Sequence, residues 1–392
     1  MKRTLAVVFG GKSVEHDVSI ITGLQLMDSA DPAKYDVVPI YISREGKWYT
    51  GHRLRDAAFM RSFDPKEKSI REVYISPAAD TYELMEAGGG RFSAPKPVRR
   101  IDVAILAMHG MHGEDGTLQG LFELANIPYS SPGVLGSAVG MDKIVMKAVF
   151  RGCGLPVLDG VHFTRGEWKA DKEKVIERIE AALQYPVFVK PANLGSSIGI
   201  GKAAHRDALA GAIEVAVHYD RRILVEKAVQ DIMEINCSCL GFDDDVRASV
   251  CEQPINWEEF LTFKDKYMRG GGEKSAGMKS MDRRIPAPID DALRDEIQAL
   301  AIKVFKALDC KGVARIDFIV DQAAGRTYVN EINTIPGSFS YYLWEPTGVP
   351  FAKLIEELDA LACRAHAEKN LNSYAFDSGV LRKLANGAKT GK

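Results

Sequence analysis

A chain of 392 residues with 51 basic and 53 acidic side chains has a net charge of −2 and is 46% hydrophobic. That length holds two or three domains, and the apolar content excludes disorder throughout. The near-neutral balance excludes a broad basic field for nucleic acid, and no apolar run approaches the ~20 residues of a membrane-spanning helix.

Lys2 and Arg3 ahead of Leu5-Ala6-Val7-Val8-Phe9 imitate a signal peptide, but Gly10-Gly11-Lys12 stops the run too early. It reads as a buried first strand entering a tight loop. Val37 to Ile42 and Val103 to Met108 read as further buried strands, with a helix after Ser19, so the first third predicts a parallel α/β sheet. Residues 60–100, with Gly88-Gly89-Gly90 and Pro95-Lys96-Pro97, read as surface insertions around a hairpin. A helix follows Asp142 and stops at Gly152-Cys153-Gly154. Strands are expected at Val187 to Lys190, Ile223 to Glu226, Glu234 to Leu240, Val313 to Val320 and Thr327 to Ile332. A last helix starts near Ala352, and the tail after Lys369 reads as loosely packed. Six cysteines, none in a Cys-x-x-Cys pair, predict reduced thiols in a cytosolic protein, with neither a zinc site nor a disulfide framework.

Two familiar nucleotide motifs fail. Gly11-Lys12-Ser13 resembles the end of a P-loop, but its leading glycine would fall on Ala6. Gly199-Ile200-Gly201 lacks the third glycine of a dinucleotide fingerprint. The strongest chemistry lies near the C-terminal end. Arg315 and Asp317 are two apart on one strand, as are Glu331 and Asn333 on the next, so each pair projects from one face. Acids and an amide on an otherwise apolar strand pair need charge partners or a metal. Their hard oxygens suit Mg²⁺ shared with phosphates, and a structural salt-bridge cluster is the alternative. Asn333 runs into Thr334-Ile335-Pro336-Gly337-Ser338, where Gly337 either exposes an amide to an oxyanion or only makes a turn. Lys190 precedes the loop Gly195-Ser196-Ser197-Ile198-Gly199, a phosphate-binding combination or a plain surface loop. His109-Gly110-Met111-His112-Gly113-Glu114-Asp115-Gly116 follows a strand, where α/β proteins place ligands. Glu15, after the first strand, is expected at the same sheet edge.

Taken together these residues resemble the D-alanine–D-alanine ligases of the ATP-grasp superfamily, from Gly10 to about Pro350. The matching runs are Gly10 to Ser19, His109 to Gly120, Gly140-Met141-Asp142-Lys143, Val189-Lys190-Pro191 with Gly195-Ser196-Ser197, and Asn330-Glu331-Ile332-Asn333-Thr334. The resemblance implies an α/β fold, α+β in part, in three domains. These are a Rossmann-like parallel-sheet domain over 1–135, a small central α+β domain over 136–229, and a C-terminal α+β domain over 230–392. It implies ATP-dependent joining of two D-alanines through an acylphosphate, for cell-wall precursor synthesis, by a cytoplasmic homodimer that meets neither membrane nor nucleic acid. By motif position Glu15 would hold the first substrate's ammonium, supported by Ser196 and Tyr267, and His109 would lie near the second. Lys143, Lys190 and Lys266 would contact phosphates, while Glu226, Lys227, Val229 and Glu234 would line the adenine and ribose site. Asp317, Glu331 and Asn333 would hold two Mg²⁺ ions, with Mn²⁺ as a substitute, and Arg315 with the Gly337 amide would stabilise the oxyanion. Lys266 to Gly272 would form a lid. The segment after Gly337 is shorter than the family's, which leaves Ser340 for the second substrate's carboxylate. The stretch from Glu226 to Glu234 is one residue longer. Competing readings are a ligase of another pair, such as D-alanine with D-serine, and a silent nucleotide-binding module. The retained metal ligands and Arg315 argue against the last.

Overall fold

A computed structural model describes residues 2–87, 95–195, 198–254 and 283–376. Sixteen strands among them form three sheets. The first holds β1 (Arg3–Gly10), β2 (Tyr35–Ile42), β3 (Trp48–Thr50), β4 (Arg71–Ile75), β5 (Glu83–Glu86), β6 (Pro97–Arg100) and β7 (Val103–Leu106), ordered β6-β5-β4-β3-β2-β1-β7. β1 runs parallel to β2 on one side and β7 on the other. This central place explains its unbroken apolar run, since Leu5 to Phe9 are fully buried. Gly10 ends β1 at φ +94°, and a Cβ there would sit 2.2 Å from the Ile42 carbonyl oxygen. Only glycine allows the chain to turn off the sheet so close to β2.

The described residues of 60–100 hold more than one hairpin: β4, β5 and β6 join β3 in an antiparallel extension of the sheet. These strands are three to five residues long and largely polar on the outer side, so no apolar alternation marked them.

The second sheet comprises β8 (Gly160–Thr164), β9 (Val187–Pro191), β10 (Gly201–Ala203) and β11 (Arg222–Lys227), in the order β10-β9-β11-β8 and antiparallel throughout. Ile176 and Ile179 of helix Lys172–Ala182 and Leu209 and Ile213 of helix Arg206–Tyr219 bury against Phe163, Val189 and Val225. The third sheet comprises β12 (Ile232–Phe242), β13 (Asp245–Pro254), β14 (Arg283–Arg284), β15 (Gly312–Asp321) and β16 (Arg326–Asn333), ordered β14-β13-β12-β15-β16. One face is apolar: Cys237, Cys251, Ile316, Phe318 and Ile332 pack on Phe150 and on Val304 and Phe305 of helix Asp291–Ala307. The other face is polar and is the site described below.

Two helices pack away from their sequence neighbours. Helix Lys143–Gly152 sends Met146 and Phe150 into the core of the third sheet. Helix Phe351–Lys369 sends Leu354, Ile355 and Leu358 into the core of the first. Among the described residues no helix is long and apolar enough to cross a membrane.

Candidate functional site

Direct partners in an antiparallel sheet stand on the same face, and the register of the third sheet therefore fixes the site. Asp317 on β15 is paired with Glu331 on β16, and Arg315 with Asn333. On the other side of β15, Asp317 is paired with Asn236 of β12, Arg315 with Ser238, and Ile319 with Glu234. Three rows follow along one face, spaced by roughly 7 Å: Glu234 and Ile319, then Asn236, Asp317 and Glu331, then Ser238, Arg315 and Asn333. A bulge after Asp317 leaves Asn330 as an extra residue on β16.

The four expected side chains meet. Arg315 donates to both oxygens of Asp317, Nε to Oδ1 at 2.7 Å and Nη2 to Oδ2 at 2.8 Å, the two-pronged geometry that suits a guanidinium. Asn333 donates to Asp317 Oδ2 at 3.0 Å. Burial, with Glu331 and Glu252 nearby, pushes the Asp317 pKa up against the pull of Arg315. Lys143 Nζ lies 3.0 Å from Glu331 Oε2. Burial disfavours the Lys143 ammonium, but Glu331, with Glu226 and Glu15, more than offsets this and raises its pKa. Lys143 opens its helix beside Asp142, which caps the Ile144 and Val145 amides, and its own amide donates to the Ala192 carbonyl at 2.9 Å.

Two carboxylates and an amide carbonyl on one face make a hard-oxygen donor set. No group of three His, Cys, Asp or Glu able to hold a metal occurs among the described residues. The set fits an ion such as Mg²⁺ that takes its other ligands from phosphate and water, and not a self-sufficient metal cage.

The second sheet faces this site with Lys190. Its Nζ lies 2.8 Å from Glu226 Oε2 and 3.4 Å from Asn330 Oδ1. Glu226 is 1% exposed and also meets Lys147, whose Nζ is 2.7 Å from Oε1. Burial alone would raise the Glu226 pKa. The two lysines overcome it and pull it to about 2. Its carboxylate, which the resemblance places at the adenine and ribose site, also holds the phosphate-side lysine. Lys227 ends β11 exposed, Val229 is half-buried in the short connection to β12, and Glu234 opens the row on β12.

The first-substrate side forms at the edge of the first sheet. An open cleft of about 340 Å³ is lined by Ser13, Glu15, Gly110, Met111, Met141 and Gly195, among others. Glu15 precedes helix His16–Ser29 and is 8% exposed. Gly110 lies against it at φ +70°, where a Cβ would come 2.6 Å from both Glu15 Oε2 and Ser13 Oγ. Glu114, inside the matched His109 run but not singled out from sequence, accepts from the Gly110 amide and the Ile335 amide, both at 2.9 Å. Burial and the nearby Glu15 raise its pKa to about 8.

His109 is fully engaged. Its Nδ1 lies 2.9 Å from the Ile335 carbonyl, which can only accept, so Nδ1 carries the proton. Its Nε2 then accepts from Thr22 Oγ1 at 2.8 Å, and Thr22 accepts from the Ser338 amide at 3.2 Å. Burial, with Arg315 nearby, lowers the His109 pKa to about 4. The ring is neutral and ties β7, helix His16–Ser29 and the turn Gly337–Ser340 together. In that turn Ser338, Phe339 and Ser340 take φ of 50°, 53° and 50°, a left-handed backbone costing roughly 1–2 kcal/mol per residue. Phe339, 2% exposed, anchors it, and Ser338 Oγ donates to Gln25 at 2.6 Å. Ser340 Oγ is buried with no partner among the described residues. Ser196, Lys266, Tyr267 and the lid over Lys266 to Gly272 lie outside the described residues.

Lys147, Glu114 and Asn236 were the contributors that sequence reading passed over. Lys147 was findable, because it stands four residues after Lys143 on the same helix face. Asn236 and Glu114 needed the register and the loop closure.

Two family models match the chain. The D-ala D-ala ligase N-terminus model matches residues 4–132 and the D-ala D-ala ligase C-terminus model matches 149–359. The D-alanine–D-alanine ligase of Geobacillus thermodenitrificans is 40% identical over 96% of this chain and all of that protein. That of Heliobacterium modesticaldum is 41% identical over 95% and 98%. Among solved structures, the VanG D-Ala:D-Ser ligase of Enterococcus faecalis superposes with a TM-score of 0.78 at 30% identity, covering 92% of this chain and 100% of that one. The Coxiella burnetii D-alanine–D-alanine ligase gives 0.75 at 28% identity, covering 98% and 100%. With models covering both its N- and C-terminal parts, the chain belongs to the D-alanine–D-alanine ligase family and has the ATP-grasp fold.

Proposed function

We propose that the chain is an ATP-dependent ligase that joins two D-alanines into D-alanyl-D-alanine for cell-wall precursor synthesis. The observation that carries this reading is the polar face of β12, β15 and β16, where Arg315, Asp317, Glu331 and Asn333 meet Lys143 and face Lys190. Phosphoryl transfer asks mostly for charge neutralisation and positioning. Lys143 and Lys190 supply charge for ATP phosphates, and Asp317, Glu331 and Asn333 would hold Mg²⁺, two ions in this proposal, with Mn²⁺ as a substitute. When bound, such ions neutralise phosphate charge.

In this reading the carboxylate of the first D-alanine attacks the γ-phosphorus of ATP, and ADP leaves. The amine of the second D-alanine then attacks the acylphosphate carbon, and phosphate leaves as the peptide bond closes. Glu15, held beside Gly110, receives the first ammonium, with Ser196 and Tyr267 assigned to support it. Arg315 and the Gly337 amide face the oxyanion. Glu226, Lys227, Val229 and Glu234 border the adenosine, with Ile319 as an apolar floor beside Glu234. His109 keeps the Gly337 turn in register for the second substrate, and Ser340 offers it a hydroxyl. Lys266 is assigned to the phosphates. We assign the first sheet to a domain over 1–135, the second to 136–229 and the third to 230–392, in a cytoplasmic homodimer.

The likeness to a D-Ala:D-Ser ligase makes D-serine the acceptor to test beside D-alanine. The deciding experiment is ADP release with Mg²⁺ and a panel of D-amino acids, singly and in pairs. D-alanine alone should support turnover and yield the dipeptide. Turnover only with a mixed pair would move the reading to another acceptor, and no turnover with any pair would overturn it.

A further inference from the structure

Two segments shape the substrate end of the site, and one side chain bonds to both. The loop after β7 brings Gly110 against the Glu15 carboxylate, where a Cβ would lie 2.6 Å from Oε2. The segment after β16 runs through Ile335 to the turn at Gly337. Glu114 closes the first loop on itself, its amide donating to the Gly110 carbonyl at 2.9 Å. Its side chain then spans the two segments. Oε2 accepts from the Gly110 amide and Oε1 from the Ile335 amide, each at 2.9 Å. The Thr334 hydroxyl adds a longer contact to the Glu114 carbonyl at 3.5 Å. The ligase reading above gives Glu114 no task.

This bonding pattern calls for a carboxylate. Each oxygen takes one backbone N–H, and an ionised carboxylate has two acceptor oxygens and no donor. A glutamine of the same shape could accept from one segment only and would turn its NH₂ toward the N–H of the other. Stability alone does not ask for a charge here. Glu114 is half-buried, and burial and the nearby Glu15 oppose its ionised form, while the two amides favour it.

What the bridge sets is a distance. On one side, Gly110 packs against Glu15, assigned above to the first ammonium. On the other, Ile335 stands two residues before Gly337, whose amide is assigned to the oxyanion. Ile335 is 2% exposed, within the core of the first sheet, and its carbonyl accepts from His109 Nδ1 at 2.9 Å. The first D-alanine has to span this interval, with its ammonium at one end and its reacting carboxyl at the other. A small error in that spacing costs rate.

We propose that Glu114 is a positioning residue that sets the interval between Glu15 and the Gly337 amide, one carboxylate oxygen holding each side. The proposal rests on the ligase reading for the roles of Glu15 and Gly337. Wild-type ADP release with D-alanine checks that reading. The ratio of variant to wild type, with amide exchange that needs no turnover, checks this one.

The test compares Glu114→Gln, which keeps the length and loses one acceptor, with Glu114→Asp, which keeps the charge and is one methylene too short to reach both amides. Each should lower kcat roughly tenfold, the loss of one hydrogen bond to a charged group, with KM for ATP and the thermal midpoint near those of the wild type. In each, the Gly110 or the Ile335 amide should exchange with D₂O faster than in the wild type. Wild-type kcat in Glu114→Gln would overturn the proposal. Full activity in Glu114→Asp would also overturn it, because charge and not span would then be what matters. So would a kcat loss with both amides exchanging as in the wild type, or one that appears only with a matching loss of thermal stability. If Glu114→Asp fails to fold, Glu114→Gln decides alone.

Discussion

Lys147→Met gives the most quantitative check on how the two sheets are joined. Glu226 sits between Lys147 and Lys190 with almost no solvent contact. A carboxyl moved from its ordinary 4.5 to about 2 favours its charged form by about 3 kcal/mol. Of the two lysines, Lys147 pulls harder on that carboxyl. The lysine itself is disfavoured by the same burial, which lowers its pKa despite Glu226, so removing it returns part of the cost. The two partners thus pull in opposite directions, and we take the net loss at neutral pH as about 2 kcal/mol, below the 3–5 of a fully broken buried pair because Lys190 remains. Native-state hydrogen exchange of the β9 and β11 amides reads this locally. The sign with pH is fixed. Glu226 has a depressed folded pKa, so its contribution is complete above about 4.5 and disappears as pH falls toward 2. The gap between wild type and variant should therefore narrow on acidification. A gap that stays constant from neutral pH to about pH 4 and below would refute the reasoning.

The chemistry was more legible in the sequence than the scaffold that holds it. Arg315, Asp317, Glu331 and Asn333 could be paired in advance because residues two apart on a strand share a face, and the register brings both pairs together. β1, β2 and β7 were visible because a strand buried on both faces is a continuous apolar run. β13 was not read at all, since its residues alternate between the core and the polar face in no simple hydrophobic pattern. That omission concealed Glu252. The role of His109 was hidden for a different reason. Its two partners, Thr22 and the Ile335 carbonyl, are 87 and 226 residues away. No local pattern distinguishes a histidine that touches substrate from one that fastens three elements together. The Glu226 carboxylate likewise pairs with Lys147 from a helix that joins the core of the third sheet, a contact that depends on packing alone.

Four further outcomes follow from the same geometry. Glu331→Gln and Asp317→Asn should each abolish ADP release at saturating Mg²⁺ while leaving the circular dichroism unchanged; near-normal turnover in both would remove the metal assignment. Gly110→Ala places a methyl 2.6 Å from the Glu15 carboxylate at a left-handed φ, so it should raise KM for the first D-alanine at least tenfold by displacing Glu15, roughly the effect of one lost charged hydrogen bond. His109, held neutral with a pKa near 4, contributes stability that is complete above its unfolded value of about 6.5 and is lost as pH falls toward 4; His109→Asn should flatten the stability profile across that interval, as read by urea unfolding. The last outcome concerns Ser340, whose hydroxyl is fully buried and has no partner among the described residues. Such a group is a cost to folding, about 1–3 kcal/mol, that a bound carboxylate would relieve. Ser340→Ala should therefore act with opposite signs on two observables. The free enzyme should be as stable as the wild type or more so, while KM for the second D-alanine rises roughly ten- to a hundredfold, and the first is unaffected. Ser338 makes the contrast, because its hydroxyl already donates to Gln25, and Ser338→Ala should cost stability with little change in acceptor KM. A Ser340→Ala enzyme that is less stable and binds the acceptor normally would show that this hydroxyl serves the left-handed turn and not the substrate.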